Sequence, residues 1–222
     1  MNIIAIDPST DVTGIALVHV PEFGSPRVIS SAALNAAEYL RTLCKERPEI
    51  RKESAEKLRQ RRYSWTRQQI ARWLSQVDGY GVDLLAYERG GGPGTQSDQA
   101  GDQAIGAYLS LSYFIELPLV AVMRGNACTA VGAGSVYREK AGSTSREKAD
   151  KRARLKAAVI AGVNQKCCLK LTDSEDGRAD AIAVGIAAGE ATWRELKAQK
   201  AAAAQGDLKL RRSPVKKEKV TL

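Results

Sequence analysis

Short apolar runs alternate with turn-rich stretches at the start of the chain, a pattern typical of β-strands. Residues 3–6 and, apart from His19, residues 15–20 are apolar, and the turn between them contains Pro8 and Ser9, which predicts a β-hairpin. The first run shows no alternation with polar positions, so this strand is expected to be covered on both faces. Residues 27–33 follow a second turn and are predicted to form a third strand.

After the third strand, the pattern alternates between helices and strands. Residues 36–62 are helical in composition with an interruption at Pro48, and Ser64 is the predicted N-cap of a helix over residues 65–77. Two further strands are predicted over residues 82–88 and 117–122. Three further helices are predicted over residues 97–114, 145–162 and 178–198. This order predicts an α/β fold whose mixed sheet is antiparallel at the hairpin and parallel where helices connect the strands.

Length and composition restrict the class of protein. A chain of 222 residues with 44% apolar residues can form one substantial domain with appendages. It has no apolar run of about 18 residues that would cross a membrane. No basic region precedes an apolar one at the amino terminus, unlike in a secretory signal. The four cysteines lack Cys-x-x-Cys spacing, which argues against a zinc site. We therefore expect a reduced, cytoplasmic protein with no membrane association.

Positive charge is concentrated in three segments. Residues 41–72 hold 11 basic and 4 acidic side chains, residues 138–156 hold 8 and 3, and residues 191–222 hold 9 and 3. The net charges of these segments are +7, +5 and +6. The whole chain has a net charge of +9, so the remaining residues carry a net charge of −9. An acidic scaffold with three basic segments indicates a polyanionic partner, although solvated helix faces produce a similar pattern.

Carboxylates occupy positions where a charge is costly. Asp7 and Glu88 each end an apolar strand, and Asp180 lies in an apolar helix near its start, with Asp176 four residues earlier. Carboxylates that converge from such positions would suit Mg²⁺ or Mn²⁺, and two ions about 3.5–4 Å apart can support phosphodiester hydrolysis. The single histidine, His19, lies in a strand, so this chemistry would rest on carboxylates. Taken alone, Asp7 could equally be a turn residue that caps the hairpin.

Three short motifs surround these carboxylates. They are Ile-Asp7-Pro-Ser-Thr-x-x-Thr-Gly, Tyr-Glu88 and Ala-Asp180-Ala-Ile-Ala, and Val-Gly132-Ala-Gly134 precedes the basic helix. In order and approximate spacing the chain resembles the RuvC Holliday junction resolvases of the RNase H-like superfamily, which have a similar Gly-x-Gly turn and lysine-bearing helix. The resemblance implies an RNase H-like three-layer fold, with a mixed five-stranded sheet and helices on both faces.

The resemblance also implies a function. It implies a homodimer that cuts branched DNA, above all four-way junctions, with two Mg²⁺ or Mn²⁺ ions in each active site. Asp7, Glu88 and Asp180 match the family's metal ligands. The family's fourth ligand lies three residues before the last Asp, where this chain has Gly177. Asp176 is the predicted substitute, with the neighbouring carboxylates Glu175 and Asp173 as alternatives.

Domain boundaries follow from the same resemblance. Residues 1–195 are expected to form the nuclease domain, with a basic helical insertion at about residues 36–62. Residues 196–222 are expected to be a basic, disordered tail. These additions are similar to those of phage or other divergent relatives, for which the working compartment would be the host cytoplasm.

Candidate DNA contacts are basic residues near the carboxylates and in the basic segments. They are Arg61, Arg62, Arg89, Arg124, Lys148, Lys151, Arg152 and Lys156. Trp65 is predicted either to stack on bases or to pack in the core. Two other functions remain open: a branched-DNA-binding module without catalysis, and a relative of the actin-like or sugar-kinase-like ATPases, which also open with a strand, an Asp and a Ser/Thr turn.

Overall fold

The computed structural model describes residues 1–89, 106, 117–140 and 142–212, with side chains as far as residue 204. The glycine-rich segment at residues 90–94 and, apart from Gly106, the predicted helix over residues 97–114 lie outside the described residues.

Five strands of the described residues form one mixed sheet: β1 (Asn2–Asp7), β2 (Val12–His19), β3 (Arg27–Asn35), β4 (Leu84–Arg89) and β5 (Leu119–Met123). Their order in the sheet is β3-β2-β1-β4-β5. The first three strands pair in antiparallel fashion, whereas β1 pairs with β4, and β4 with β5, in parallel. This topology confirms the predicted α/β fold with a mixed five-stranded sheet.

The described helices surround this sheet and its carboxyl edge. The α-helices are α1 (Ala36–Glu46), α2 (Ala55–Gln76), α3 (Arg124–Ala130), α4 (Gly134–Arg138), α5 (Ser145–Cys167) and α6 (Asp176–Arg212). Two short 3-10 helices cover Pro48–Lys52 and Asp173–Glu175. In the part of the chain that the structure describes, no helix is long and apolar enough to span a membrane.

The start of α2 differs from the prediction. The helix begins at Ala55, and Ser54 is its N-cap, with its side chain accepting a hydrogen bond from the Lys57 amide. Ser54 has the extended backbone that a cap requires, whereas Ser64 lies in the middle of the helix. The predicted cap at Ser64 is therefore wrong. The straight-chain residues before it have good helix propensity and continue the helix.

Two helices cover opposite faces of the sheet. On one face, Ile70 and Trp73 of α2 join Ile4, Leu17 and Leu85 of the strands in a buried cluster. On the other face, α6 packs so closely that a Cβ built on its Gly185 would be 3.0 Å from Val18 and 3.2 Å from Ala5. The central strand β1 is therefore covered on both faces, as its unbroken apolar run predicts.

Residues 1–190 form one compact unit and residues 191–222 a second. In the second unit, α6 continues as helix to Arg212, although residues 196–222 were expected to be disordered. Four consecutive alanines at residues 201–204 have the highest helix propensity of any residue type, which accounts for the longer helix.

Candidate active site

Asp7 and Glu88 lie side by side at the carboxyl edge of the sheet. The parallel register pairs Ala5 with Ala86 and Ile6 with Tyr87, so the next residues on the two strands are Asp7 and Glu88. Side chains alternate along a strand, so both carboxylates face the same side as Ala5, which is the side that α6 covers.

The first turn of α6 brings a third carboxylate to this edge. Gly14 pairs with Asp7 across the β-hairpin, and a Cβ on Gly14 would overlap the carbonyl oxygen of Gly177. Only glycine allows the helix start to approach the strand this closely. Asp180 follows Gly177 by three residues, about one helical turn, and its charge contributes to raising the pKa of Asp7.

The clustered carboxylates repel one another. Burial, followed by repulsion from Glu88 and Asp180, raises the pKa of Asp7 well above its usual range. Burial raises the pKa of Glu88 to about 7 against the opposing effect of Arg124, and burial also raises the pKa of Asp180. A buried group of like charges needs cations to ionise fully at neutral pH.

Two side chains of the protein supply positive charge to this cluster. Arg124, the first residue of α3, places Nη1 3.6 Å from Oε1 of Glu88 and Nη2 3.9 Å from Oδ2 of Asp180. Lys156 of α5 forms an ion pair with Asp176. Both cations are about half exposed, at 43% for Arg124 and 52% for Lys156, so each can turn toward solvent.

Asp176 acts electrostatically on the other carboxylates of the cluster, unlike the two alternative fourth ligands, Glu175 and Asp173. Its charge raises the pKa of both Asp7 and Asp180. Glu175 instead accepts hydrogen bonds from Thr172 and forms an ion pair with Arg178, and Asp173 lies exposed in the short 3-10 helix.

The donor set suits a hard divalent cation. All four side chains offer oxygen, as Mg²⁺ and Mn²⁺ prefer, and their mutual repulsion would be relieved by such an ion. Among the described residues, no three Asp, Glu, His or Cys side chains stand close enough to hold an ion in their present orientations. Arg124 and Lys156 draw three of the four carboxylates to themselves, so metal binding would require these ion pairs to open.

The predicted DNA contacts on α5 differ in their surroundings. Lys148 and Arg152 are exposed on the first half of the helix, and Lys156 lies at the carboxylate cluster. Lys151 instead donates hydrogen bonds to the carbonyl oxygens of Tyr137 and Glu139, and so holds the end of α4 against α5. Arg89, which follows Glu88, is exposed at the end of β4.

The predicted contacts on α2 are engaged within the protein. Arg61 donates two hydrogen bonds to Glu53, and Arg62 donates one to Asp11 over 2.7 Å. Trp65 stacks on Tyr39 of α1, with ring centroids 5.0 Å apart. The aromatic residue that could have stacked on bases therefore joins the two helices instead.

Sequence reasoning missed the Asp11–Arg62 contact and the packing of Gly177 on Gly14. A glycine inside a strand signals a close backbone approach, so Gly14 could have indicated the second of these. No sequence signal pairs Asp11 with an arginine 51 positions away.

Comparisons with known proteins identify similar folds. No protein-family model matches the chain, and no curated protein sequence matches it. The structure of Thermus thermophilus RuvC in complex with Holliday junction substrate is similar with a TM-score of 0.56 and 16% sequence identity, over 86% of this chain and 96% of that chain. A second structure of T. thermophilus RuvC gives a TM-score of 0.54 and 18% identity, over the same shares. The chain therefore has the RNase H-like fold of the RuvC-type resolvases.

Proposed function

We propose that this protein is a metal-dependent endonuclease that nicks branched DNA and resolves four-way junctions. The observation that carries the proposal is the carboxylate cluster at the carboxyl edge of β1 and β4, completed by the start of α6. The same fold in T. thermophilus RuvC is described in complex with Holliday junction substrate, which supports four-way junctions as the substrate.

Each carboxylate has a role in this proposal. Asp7, Glu88, Asp176 and Asp180 would hold two Mg²⁺ or Mn²⁺ ions. When bound, such ions activate a water and stabilise the leaving oxygen of a phosphodiester. Arg124, once released from Glu88 and Asp180, would supply positive charge to a phosphate bound at the same place. Buried surroundings strengthen each of these charge interactions, because less water screens them.

The proposal includes a homodimer, because a four-way junction has two equivalent strands to cut and a twofold pair of active sites matches them. A dimer would introduce paired, symmetrical nicks. The mass of the protein in solution, measured by light scattering with and without junction DNA, tests this part separately from cleavage.

The decisive experiment compares three end-labelled substrates: a four-way junction, a fork and a linear duplex, each with EDTA, Mg²⁺ or Mn²⁺. The wild-type protein is expected to nick the junction only when a metal is present. Asp7→Asn is expected to bind the junction and leave it intact. Asp78→Asn, which alters an exposed carboxylate just beyond the end of α2, is the matched control and should cut normally. Cleavage by Asp7→Asn at the wild-type rate would refute the assignment.

A second function is favoured by the ion pairs of Arg124 and Lys156. Because these cations already compensate the carboxylates, the site could serve as a closed, non-catalytic part of a DNA-binding module. Tight, metal-independent junction binding without nicks in either metal would support this alternative over the endonuclease.

A further inference from the structure

Helix α2 is longer than the sheet that it covers. Its carboxyl end is tied to the amino end of β1, because the Asn2 side chain donates hydrogen bonds to the carbonyl oxygens of Tyr80 and Gly81, just beyond the helix. At the other end of β1, Arg62 contacts Asp11 in the turn that follows Asp7. From Arg62 to Gln76 the helix rises about 21 Å, which matches the roughly 20 Å length of a six-residue strand.

The residues of α2 before Arg62 therefore extend past the carboxyl edge of the sheet. From Ala55 to Arg62 the helix rises about 10 Å beyond the Asp11 contact. The burial pattern agrees, since none of residues 55–62 is buried and the first buried side chain of the helix is Tyr63. This end of α2 overhangs the edge where Asp7 and Glu88 lie.

The overhanging end of α2 is braced by the segment before it. Residues 36–62, hereafter the basic hairpin, comprise α1, the first 3-10 helix and this end of α2. Tyr39 stacks on Trp65, Glu53 accepts two hydrogen bonds from Arg61, and Ile50 is 3% exposed. These contacts hold the basic hairpin in a defined conformation, so its charged side chains project from fixed backbone positions.

The basic hairpin carries an excess of uncompensated positive charge. It contains nine Lys/Arg and five Glu, a net charge of +4. Three of the arginines pair with glutamates of the hairpin itself and Arg62 pairs with Asp11. Among the described residues, the remaining five form no ion pair and are all exposed: Lys45, Arg47, Arg51, Lys52 and Lys57.

Helix α5 extends past the same edge in a similar way. Lys156 contacts Asp176 at the carboxylate cluster, and the helix begins 11 residues earlier, about 16 Å away. No residue from 145 to 154 is buried. Lys148 and Arg152 lie on this exposed part. Two basic projections thus border the carboxyl edge of the sheet, one held there by the Arg62–Asp11 contact and the other by the Lys156–Asp176 contact.

We infer that the basic hairpin binds the phosphate backbone of one duplex arm of branched DNA, as a second surface separate from α5. This inference rests on the proposed function for its substrate and adds a binding surface to it. Phosphate recognition is favoured over base stacking because Tyr39, the aromatic residue of the basic hairpin, is stacked on Trp65. A 10 Å overhang spans about three base pairs at 3.4 Å each, so several phosphates near the branch lie within reach.

The test removes three charges from the basic hairpin and compares the result with a matched variant. The test protein carries Arg51→Gln, Lys52→Gln and Lys57→Gln. The control carries Arg27→Gln, Arg72→Gln and Lys170→Gln, three exposed residues away from the carboxyl edge. Binding to a four-way junction is measured in EDTA over a range of salt concentrations, and circular dichroism establishes that each variant is folded.

The hairpin variant is expected to bind the junction about tenfold more weakly than the wild type. The slope of the logarithm of its binding constant against the logarithm of the salt concentration should also be shallower, by about one unit for each lost phosphate contact. The control should bind like the wild type. In an ethylation-interference experiment, ethylation of certain phosphates in one arm should weaken binding by the wild type. The same ethylated phosphates should no longer weaken binding by the hairpin variant. Equal affinity and salt dependence in the two variants would overturn the inference, as would a wild-type protein that binds no DNA.

The experiments distinguish an incorrect DNA-binding surface on the basic hairpin from an incorrect assignment of nuclease activity. A wild-type protein that binds junctions and leaves them uncut in Mg²⁺ contradicts the nuclease, while the comparison of the two variants still decides the role of the basic hairpin. Conversely, normal cleavage with equal binding by both variants contradicts only the hairpin surface.

Discussion

The guanidinium group of Arg124 lies 3.6 Å from the carboxylate of Glu88 and 3.9 Å from that of Asp180. Sequence alone offered Arg124 as a DNA contact, and the structure adds a contact with two of the four candidate metal ligands. In the absence of metal, this side chain supplies part of the positive charge that the cluster requires. A divalent cation and Arg124 would therefore compete for the same carboxylates.

We expect Arg124→Gln to bind Mn²⁺ more tightly than the wild type, by about tenfold, because the competing charge is gone. Isothermal titration calorimetry on the DNA-free protein measures this directly. Arg124→Lys keeps the charge and should lie near the wild type, and Arg72→Gln controls for the loss of an exposed arginine elsewhere. Unchanged or weaker Mn²⁺ binding by Arg124→Gln would contradict this competition.

The raised pKa values predict how stability changes with pH. Burial raises the pKa of Glu88 from 4.5 to about 7, and the pKa values of Asp7 and Asp180 are raised as well. The folded protein thus holds these protons more tightly than the unfolded chain does. Their stabilising contribution is complete below the unfolded pKa values and is lost as pH rises through the folded ones, which for Glu88 is about 7.

In metal-free buffer, the free energy of unfolding is expected to fall by about 1–3 kcal/mol between about pH 5 and pH 8. Urea unfolding at a series of pH values measures it. Glu88→Gln, which has no proton to lose, should remove a large part of the slope. Saturating Mn²⁺ should also flatten the profile, because the ion favours the charged carboxylates. A wild-type stability that rises over this range would contradict the assignment of these groups.

The fourth metal ligand is testable by a comparison of adjacent carboxylates. Asp176 acts electrostatically on Asp7 and Asp180, whereas Glu175 is engaged with Thr172 and Arg178. We expect Asp176→Asn to reduce the single-turnover cleavage rate at least tenfold and to weaken Mn²⁺ binding, and Glu175→Gln to change each by less than about threefold. The opposite order would move the fourth ligand to Glu175.

The contact of Gly14 with Gly177 predicts a large effect from a single methyl group. A Cβ at residue 14 overlaps the Gly177 carbonyl oxygen, so Gly14→Ala must displace the first turn of α6. We expect a loss of about 1–3 kcal/mol in the free energy of unfolding, together with slower cleavage as Asp180 moves away from Asp7. Ser64→Ala, an exposed change in the middle of α2, serves as the stability control. Wild-type stability in Gly14→Ala would show that the helix start can shift freely.

Much of the fold was predictable because apolar runs and turn residues specify strands locally. The strands that carry Asp7 and Glu88 followed from such runs, and their parallel pairing is typical of strands separated by α-helices. A cap is harder to locate, because Ser54 and Ser64 each stand before a helix-forming stretch. Burial of Tyr63, a tertiary effect, favours the earlier start.

The candidate site was predictable as a set of carboxylates and not as an arrangement of charges. Asp7, Glu88 and Asp180 stand out because a charge amid apolar residues is costly. The contacts of Arg124 and Lys156 depend on how α3 and α5 pack in the folded protein, and no local pattern specifies that. The same holds for Arg62 with Asp11, since long-range ion pairs leave no periodic trace in a sequence.

The packing of the start of α6 against the β-hairpin has a consequence for the newly synthesised protein. During synthesis, Asp180 is added more than 170 residues after Asp7. The cluster is assembled only when the start of α6 docks on Gly14, a contact of very long sequence separation. A partly translated chain therefore has basic surfaces able to attract nucleic acid but lacks a complete set of carboxylates. The proposed cutting activity would therefore require a chain that has been made at least as far as Asp180.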